Sequence, residues 1–227
     1  PITYQGKPAS QVVFWDITDR KQAEESIKNN LEELHRTLEG TVAALSSAVE
    51  SRDPYTAGHQ KEVARLACVV AQEMNLSEDM IEGLRVASLL HDIGKIKIPA
   101  EILSKPALLS DIEYELIKTH PQAGLEILKT ISFPWPVGKI VLQHQERMDG
   151  SGYPNGLKGN EICLEARILG VVDVVEAMCS HRPYRSSRGK KKALEEITQN
   201  RGILYDEDVV DACLKLFREE KFSLCTT

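Results

Sequence analysis

The sequence predicts an all-α fold: a helical bundle preceded by a long coiled-coil-like helix and a short strand remnant. Apolar residues recur at helical spacing along most of the 227 residues. Ser, Gly and Pro mark the expected helix starts and ends. A stretch rich in Val and Phe, Ala9–Trp15, is strand-like but too short to fold alone.

The composition excludes several classes of protein. With 42% hydrophobic and 27% charged residues, the chain can bury one sizeable core. A net charge of −6 argues against a protein that coats DNA or RNA, because that task needs a basic face. The cysteines, 5 in number, form no CxxC pair, and no apolar run approaches the ~20 residues of a membrane span. We therefore expect a cytoplasmic location and no membrane contact.

The N-terminal stretch resembles the exit of a PAS sensor domain. The residues that carry this resemblance are Asp16–Glu24, where the last strand of such a domain passes into a signalling helix. We expect residues 1–18 to be the end of a PAS-like sensor, 19–50 a linking or signalling helix, and 51–227 a separate domain. The resemblance implies an upstream sensor domain in the same chain.

The predicted signalling helix carries an apolar stripe. Its members alternate steps of four and three, as a coiled-coil seam requires: Ile27, Leu31, Leu34, Leu38, Thr41, Leu45 and Ala48. A parallel homodimer through this helix is one interpretation. The other is that the stripe packs on the core of its own chain, and the two interpretations can hold for different halves of the helix.

A series of shorter helices follows. Ser77 and the capping-box pattern Ser110–Glu113 predict helix starts, and Pro121 suits a first helical turn. Three more helices are predicted over Leu164–Cys179, Lys190–Gln199 and Asp206–Glu219, and a Gly- and Pro-rich loop over Asp149–Gly159.

The sharpest local feature is His91-Asp92, which follows the apolar stretch Val86–Leu90. An imidazole and a carboxylate in a core must be hydrogen-bonded or bind a metal, because burying them unpaired is costly. The alternative is that the pair merely caps the helix.

Other histidines also lie at predicted helix ends: His59, His120 and His144. A single histidine there is more often a cap than a ligand. Asp173 is the strongest anomaly, because two valines flank it on each side and a buried carboxylate needs a cation or several donors. Independent capping does not explain the whole set.

These motifs together resemble the HD-GYP family of HD phosphohydrolases. The matching segments, in order, are His91–Lys95, His144, Asp149–Pro154, Ala166–Ile168 with Asp173, and Arg182–Arg185. The resemblance runs from about Ser51 to Phe222. It implies an all-helical metal-dependent phosphodiesterase that hydrolyses cyclic di-GMP to linear pGpG, with slower or absent cleavage to GMP.

The resemblance also implies a ligand set for two divalent ions. One ion would be held by His59, His91, Asp92 and Asp173. Asp92 would bridge to a second ion, held by His120 and His144. Mixed imidazole and carboxylate ligands suit iron or manganese, with zinc as an alternative.

Further residues are candidates for catalysis and substrate binding. Lys95 lies four positions after His91 and can neutralise a phosphate oxygen; the alternative is a solvated lysine. Tyr153 offers a flat face for guanine or a hydroxyl for phosphate. Arg182 and Arg185 can grip phosphate or guanine, or can instead pair with Glu165 or Glu176.

The sequence departs from the family pattern near the proposed metals. Gln145, a poor metal ligand, stands where the family usually has a second histidine, and its amide can still hydrogen-bond a water on the second metal. Tyr55 replaces the glutamate of three-metal members, and Glu176 and His181 replace aspartates.

A degenerate domain that senses cyclic di-GMP or binds a protein partner is therefore the alternative function. A third is hydrolysis of another nucleotide, including mixed cyclic GMP-AMP.

Overall fold

The structure is a computed structural model and describes residues 2–9, 15–52, 58–180 and 189–223. Contacts divide the chain into two units, residues 1–41 and 42–227. Among the described residues, no helix is both long and apolar enough to cross a bilayer.

The first unit begins with a small hairpin. Strands β1 (Ile2–Tyr4) and β2 (Lys7–Ala9) pair antiparallel, with Ile2 opposite Ala9. Gln5 and Gly6 make the turn with φ of 51° and 74°, the left-handed conformation of tight hairpin turns. The predicted strand Ala9–Trp15 is thus corrected in part: Ala9 ends β2, Trp15 is not in a strand, and residues 10–14 lie outside the described part. The prediction missed the hairpin because Gln-Gly is a weaker turn signal than Asn-Gly.

One long helix, α1 (Thr18–Glu50), carries the predicted apolar stripe. In the first unit that stripe is exposed: Ile27, Leu31 and Leu34 each keep at least 60% of their surface. In the second unit the same helix contributes Val42 and Val49, which are buried in the core.

The second unit is a helical bundle. Its helices are α2 (His59–Glu73), α3 (Glu78–Leu90), α4 (Ala100–Leu103), α5 (Asp111–Ile117), α6 (His120–Leu128), α7 (Val137–Gln143), α8 (Leu164–Cys179), α9 (Gly189–Gln199) and α10 (Glu207–Arg218). Short 3-10 helices cover Ile93–Lys97 and Gly159–Glu161. The all-α prediction is confirmed for the described bundle.

Local capping explains why the predicted helix starts agree with the structure. The Ser77 hydroxyl accepts a hydrogen bond from the Met80 amide, and Ser110 forms the complete capping box with Glu113. The Asp206 carboxylate caps α10 in the same way. These caps satisfy amides that the first helical turn leaves without partners.

The core lies between α2, α3, α7, α8 and α10, and α2 packs against both α3 and α8. Side chains such as Leu66, Leu84, Ile140, Ile168 and Leu216 are fully buried there. Helix ends that meet at this core carry the predicted histidines, so the packing of the bundle positions the site.

Candidate metal centre

Five helices each bring one predicted residue to a common buried cluster. His59 and His120 are the first residues of α2 and α6, while His91 and His144 cap the C-terminal ends of α3 and α7. Asp173 comes from the middle of α8. Helix ends suit polar ligands because the chain turns there, and the side chains face inward without breaking a helix.

Three imidazoles are held in the same way by the backbone. The Nδ1 atoms of His91, His120 and His144 lie 2.7, 2.8 and 2.6 Å from the carbonyl oxygen three residues earlier, those of Ser88, Ile117 and Val141 respectively. A carbonyl oxygen only accepts hydrogen bonds, so each Nδ1 carries the proton. In the neutral ring the Nε2 lone pair is then free for a metal.

Burial keeps two of these rings neutral. Burial lowers the pKa of His120 to about 4. Burial, together with the charges of His91 and His120, lowers the pKa of His144 to about 3. At neutral pH both rings therefore offer an unprotonated Nε2.

The Nε2 atoms point at one another without a proton to share. Those of His120 and His144 lie 3.2 Å apart, although the backbone contacts leave a lone pair on each. The Nε2 of His91 is fully buried and has no hydrogen-bond partner among the described residues. Buried polar atoms are normally satisfied, so this arrangement fits a cation-binding site.

His59 is oriented by carboxylates instead of a carbonyl. Its Nδ1 contacts Glu176 Oε2 closely, and its Nε2 lies 3.2 Å from Asp173 Oδ1. Burial opposes the charged ring, but the hydrogen bonds to Asp173 and Glu176 outweigh it and raise the pKa of His59 to about 9. Glu176 also accepts a 2.5 Å hydrogen bond from the Ser180 hydroxyl, which fixes its position.

The two aspartates remain ionised despite burial. Asp92 accepts a 2.7 Å hydrogen bond from Lys95 Nζ. Although burial opposes ionisation, Lys95 and the neighbouring histidines hold the pKa of Asp92 well below its usual range. For Asp173 too, the bond to His59 and nearby positive charge outweigh burial and lower the pKa.

The donor atoms form two groups that suit metal binding. One contains His59, His91 and Asp173, and the other His91, Asp92 and His144; within each group the donor atoms lie within 4.8 Å of one another. His120 adjoins the second group, with Nε2 3.6 Å from Asp92 Oδ1. His91 belongs to both groups, and the shared role of Asp92 that the family resemblance implies stays a prediction. The nitrogen and oxygen donors fit divalent ions.

Gly94 allows the His91-Asp92 end to approach His120. A Cβ atom on Gly94 would lie 1.9 Å from the His120 carbonyl oxygen and 2.6 Å from the Gly124 nitrogen. The 3-10 helix that contains Gly94 packs directly on α6 for this reason. α3 ends at Leu90, so Lys95 reaches Asp92 from this 3-10 helix and not from a continued α-helix.

Tyr153 lies at the edge of the cluster, in the predicted Gly- and Pro-rich loop. Its ring centroid is 6.3 Å from that of His120. Burial raises the pKa of its hydroxyl, so it remains protonated at neutral pH. Gly152 is required beside it, because a Cβ there would lie 2.4 Å from the Glu146 Cα.

Sequence reasoning missed Glu146. This carboxylate is 5% exposed and accepts hydrogen bonds from the Asn155 and Leu157 amides at 2.7 and 3.0 Å. It thereby fixes the loop that carries Tyr153. Its place two residues after His144 was the available signal, but its polar neighbours gave no indication of burial.

Gln145 contacts the cluster through Asp173. Its Nε2 donates to Asp173 Oδ2 at 3.2 Å, so the amide contacts a carboxylate of the first donor group. Arg182, Arg185, His181 and Tyr55 lie outside the described residues.

Comparisons with known proteins identify the family of this chain. The profile of the protein family described as HD domain matches residues 43–209. The chain belongs to this family. The match contains each of the helices α2 to α8, which carry the buried histidines and aspartates.

Curated relatives of this HD domain are phosphodiesterases by name. The chain is 40% identical over 189 residues to the cyclic di-GMP phosphodiesterase response regulator RpfG of Xanthomonas campestris. This alignment covers 82% of the chain and 49% of the relative. The chain is 41% identical over 201 residues to a cyclic di-GMP phosphodiesterase of Thermotoga maritima, covering 88% and 54%. The chain thus spans about half the length of these relatives.

A solved structure is similar as well. The cyclic GMP-AMP-specific phosphodiesterase V-cGAP3 of Vibrio cholerae aligns with a TM-score of 0.53 at 29% identity. The alignment covers 82% of this chain and 42% of that one.

Proposed function

We propose that this chain carries a metal-dependent phosphodiesterase that hydrolyses cyclic di-GMP to linear pGpG. The observation that carries the proposal is the buried Nε2 of His91, which lacks a hydrogen-bond partner among the described residues and lies beside two ionised aspartates. The names of the relatives from Xanthomonas and Thermotoga support the choice of substrate.

The proposed ligands of two divalent ions are the six residues predicted from the sequence: His59, His91, Asp92, Asp173, His120 and His144. Iron or manganese suits this donor set, with zinc as the alternative. When bound, such ions polarise a phosphoryl oxygen and activate water for attack on phosphorus. Gln145 would act indirectly, through its hydrogen bond to Asp173.

The remaining roles belong to residues around the cluster. Lys95, held by Asp92, places a positive charge where negative charge develops on a phosphate oxygen. Tyr153 offers its ring to one guanine base. Arg182 and Arg185 complete the proposed substrate-binding set and would grip phosphate or guanine through their forked donors.

We also propose a signalling context. An upstream sensor in the same chain would act through residues 19–50, and the exposed residues Ile27, Leu31 and Leu34 would form part of a parallel dimer seam. Residues 1–18, 19–50 and 51–227 would then be sensor end, signalling helix and catalytic domain in a cytoplasmic protein.

Anaerobic purification, metal analysis and product chromatography with cyclic di-GMP test the proposal. We expect bound iron or manganese and the appearance of pGpG. Metal-loaded protein that binds cyclic di-GMP without releasing pGpG would instead support the alternative function, a sensor, which the replacement of a histidine by Gln145 favours. Turnover of cyclic GMP-AMP in preference to cyclic di-GMP would change the substrate assignment.

A further inference from the structure

A cavity lies beside the candidate metal centre, on the side of Lys95. Its volume is about 470 Å³, within the range of about 300–1,000 Å³ typical of small-molecule sites. The residues that line the cavity include Lys95, Leu103, Leu109, Asp111, Tyr114 and Ile117. Lys95 connects it to the cluster, because its ammonium bonds to Asp92 at 2.7 Å. A nucleotide whose phosphate lies at the cluster can therefore reach this cavity.

The walls suit the faces of a purine. Leu103, Leu109 and Ile117 are apolar, and Tyr114 supplies a half-exposed aromatic ring. A purine base is flat and apolar on both faces, and stacking on an aromatic side chain is a common way to bind it.

The Asp111 carboxylate supplies a hydrogen-bond acceptor in the lining of the cavity. Among the described residues it has no hydrogen-bond or ion-pair partner, whereas the other charged groups of the lining, Lys95 and Lys105, are paired with Asp92 and Glu113. A carboxylate only accepts hydrogen bonds. The Watson–Crick edge of guanine presents two donors, N1–H and the 2-amino group, while adenine presents an acceptor at N1.

A second ring lies close by. Lys118 Nζ is 5.1 Å from the ring centroid of Tyr114 and 5.9 Å from that of Tyr153. Two aromatic faces thus flank one cation near the cluster, and a cyclic dinucleotide has two bases joined by two phosphates.

From this arrangement we infer a second-base subsite: the cavity beside Lys95 binds the second guanine of the cyclic dinucleotide, with its face on Tyr114 and its Watson–Crick edge on Asp111. The inference rests on the proposed function, in which Tyr153 takes the first base. It makes the chain selective for guanine over adenine at this position.

The test measures the affinity of the chain for labelled cyclic di-GMP and cyclic di-AMP by equilibrium dialysis. The formation of pGpG is measured in parallel. We expect Tyr114→Ala to weaken cyclic di-GMP binding roughly tenfold through lost stacking, and Tyr114→Phe to recover most of that loss. We expect Asp111→Ala to reduce the preference for cyclic di-GMP over cyclic di-AMP by about tenfold, because a charge-assisted acceptor is lost. Ile112→Ala, an exposed change on the same helix outside the cavity lining, is the matched control.

The outcomes separate the subsite from the catalytic proposal. Binding by Tyr114→Ala equal to the parent, or no binding by the parent, overturns the subsite, and an unchanged preference in Asp111→Ala overturns its guanine assignment. If the parent binds through Tyr114 and Asp111 but releases no pGpG, the subsite stands and the proposed hydrolysis fails. If the parent forms pGpG with a KM that Tyr114→Ala leaves unchanged, hydrolysis stands and the subsite fails.

Discussion

At the scale of single residues, the position of one proton decides what the histidines can do. The contacts from Nδ1 to the carbonyl oxygens of Ser88, Ile117 and Val141 place that proton on the outer side of each ring. The Nε2 atoms then face the cluster, each with a free lone pair. A lone histidine in the sequence cannot show this, because the partner is a backbone atom whose position depends on the helix end.

Lys95→Ala is expected to lower turnover by about 100-fold while metal content stays near that of the parent. An oriented cation that stabilises the negative charge developing on a phosphate typically lowers the activation free energy by a few kcal/mol. Steady-state kinetics with metal analysis measure both effects. Lys97→Ala, an exposed change on the same 3-10 helix, is the control. Unchanged turnover in Lys95→Ala would show that the ammonium only neutralises Asp92.

Gln145→His is expected to increase metal retention and turnover at limiting metal, because it restores the imidazole that the family usually has. A ligand change of this kind is expected to alter metal affinity by at least roughly 10- to 100-fold, the effect typical of outer-shell changes. Metal per chain and pGpG formation are measured across a manganese titration. If the variant binds no more metal than the parent, the side chain at 145 acts only on Asp173, as its present hydrogen bond does.

At the scale of elements, the sequence predicts the helices well because their signals are local. Ser77 and Ser110 cap helices through contacts within one turn, so the sequence alone indicates where each helix begins. Glu146 is different, because its partners at Asn155 and Leu157 meet it only when the loop folds back. The Gln145–Asp173 contact joins residues from separate elements and was also beyond sequence reasoning.

The close approach of the Gly94 segment to α6 makes a sharp prediction. Gly94→Ala is expected to lower the free energy of unfolding by about 3 kcal/mol, the upper part of the usual range for overpacking, and to lower metal retention by displacing His120. Urea unfolding and metal analysis measure the two effects. Gly40→Ala is the control, because its Cβ would meet nothing within 4 Å and alanine favours the helix. Parent-like stability of Gly94→Ala would mean that the two segments are not in such close contact.

The apolar stripe of α1 carries the dimer prediction. Leu38→Asp is expected to weaken the dimer because it places a charge in the proposed seam, and sedimentation velocity across a dilution series measures this. Asn30→Asp adds the same charge outside the stripe and should leave the dimer intact. A monomeric parent would reject the seam and leave the stripe without a partner.

At the scale of the whole molecule, the proposed substrate is anionic, whereas the chain carries a net charge of −6. The positive charge must therefore be local. Lys95 supplies it at the cluster, and bound divalent ions would supply more. Because the proposed ligands come from α2, α3, α6, α7 and α8, the site requires the assembled bundle. Sequence motifs predict the candidate residues, but the packing of these helices determines how their donor atoms are grouped.

Asp92 is the carboxylate most central to the proposed metal centre, because it contacts Lys95, His91 and His120. The decisive measurement is pGpG formation by metal-reconstituted Asp92→Ala beside the parent, with metal per chain determined on the same samples. Asp208→Ala, which removes a carboxylate exposed on α10, serves as the matched control. We predict that Asp92→Ala loses both metal and hydrolysis while Asp208→Ala keeps both. Parent-level turnover in Asp92→Ala would contradict the metal-centre mechanism.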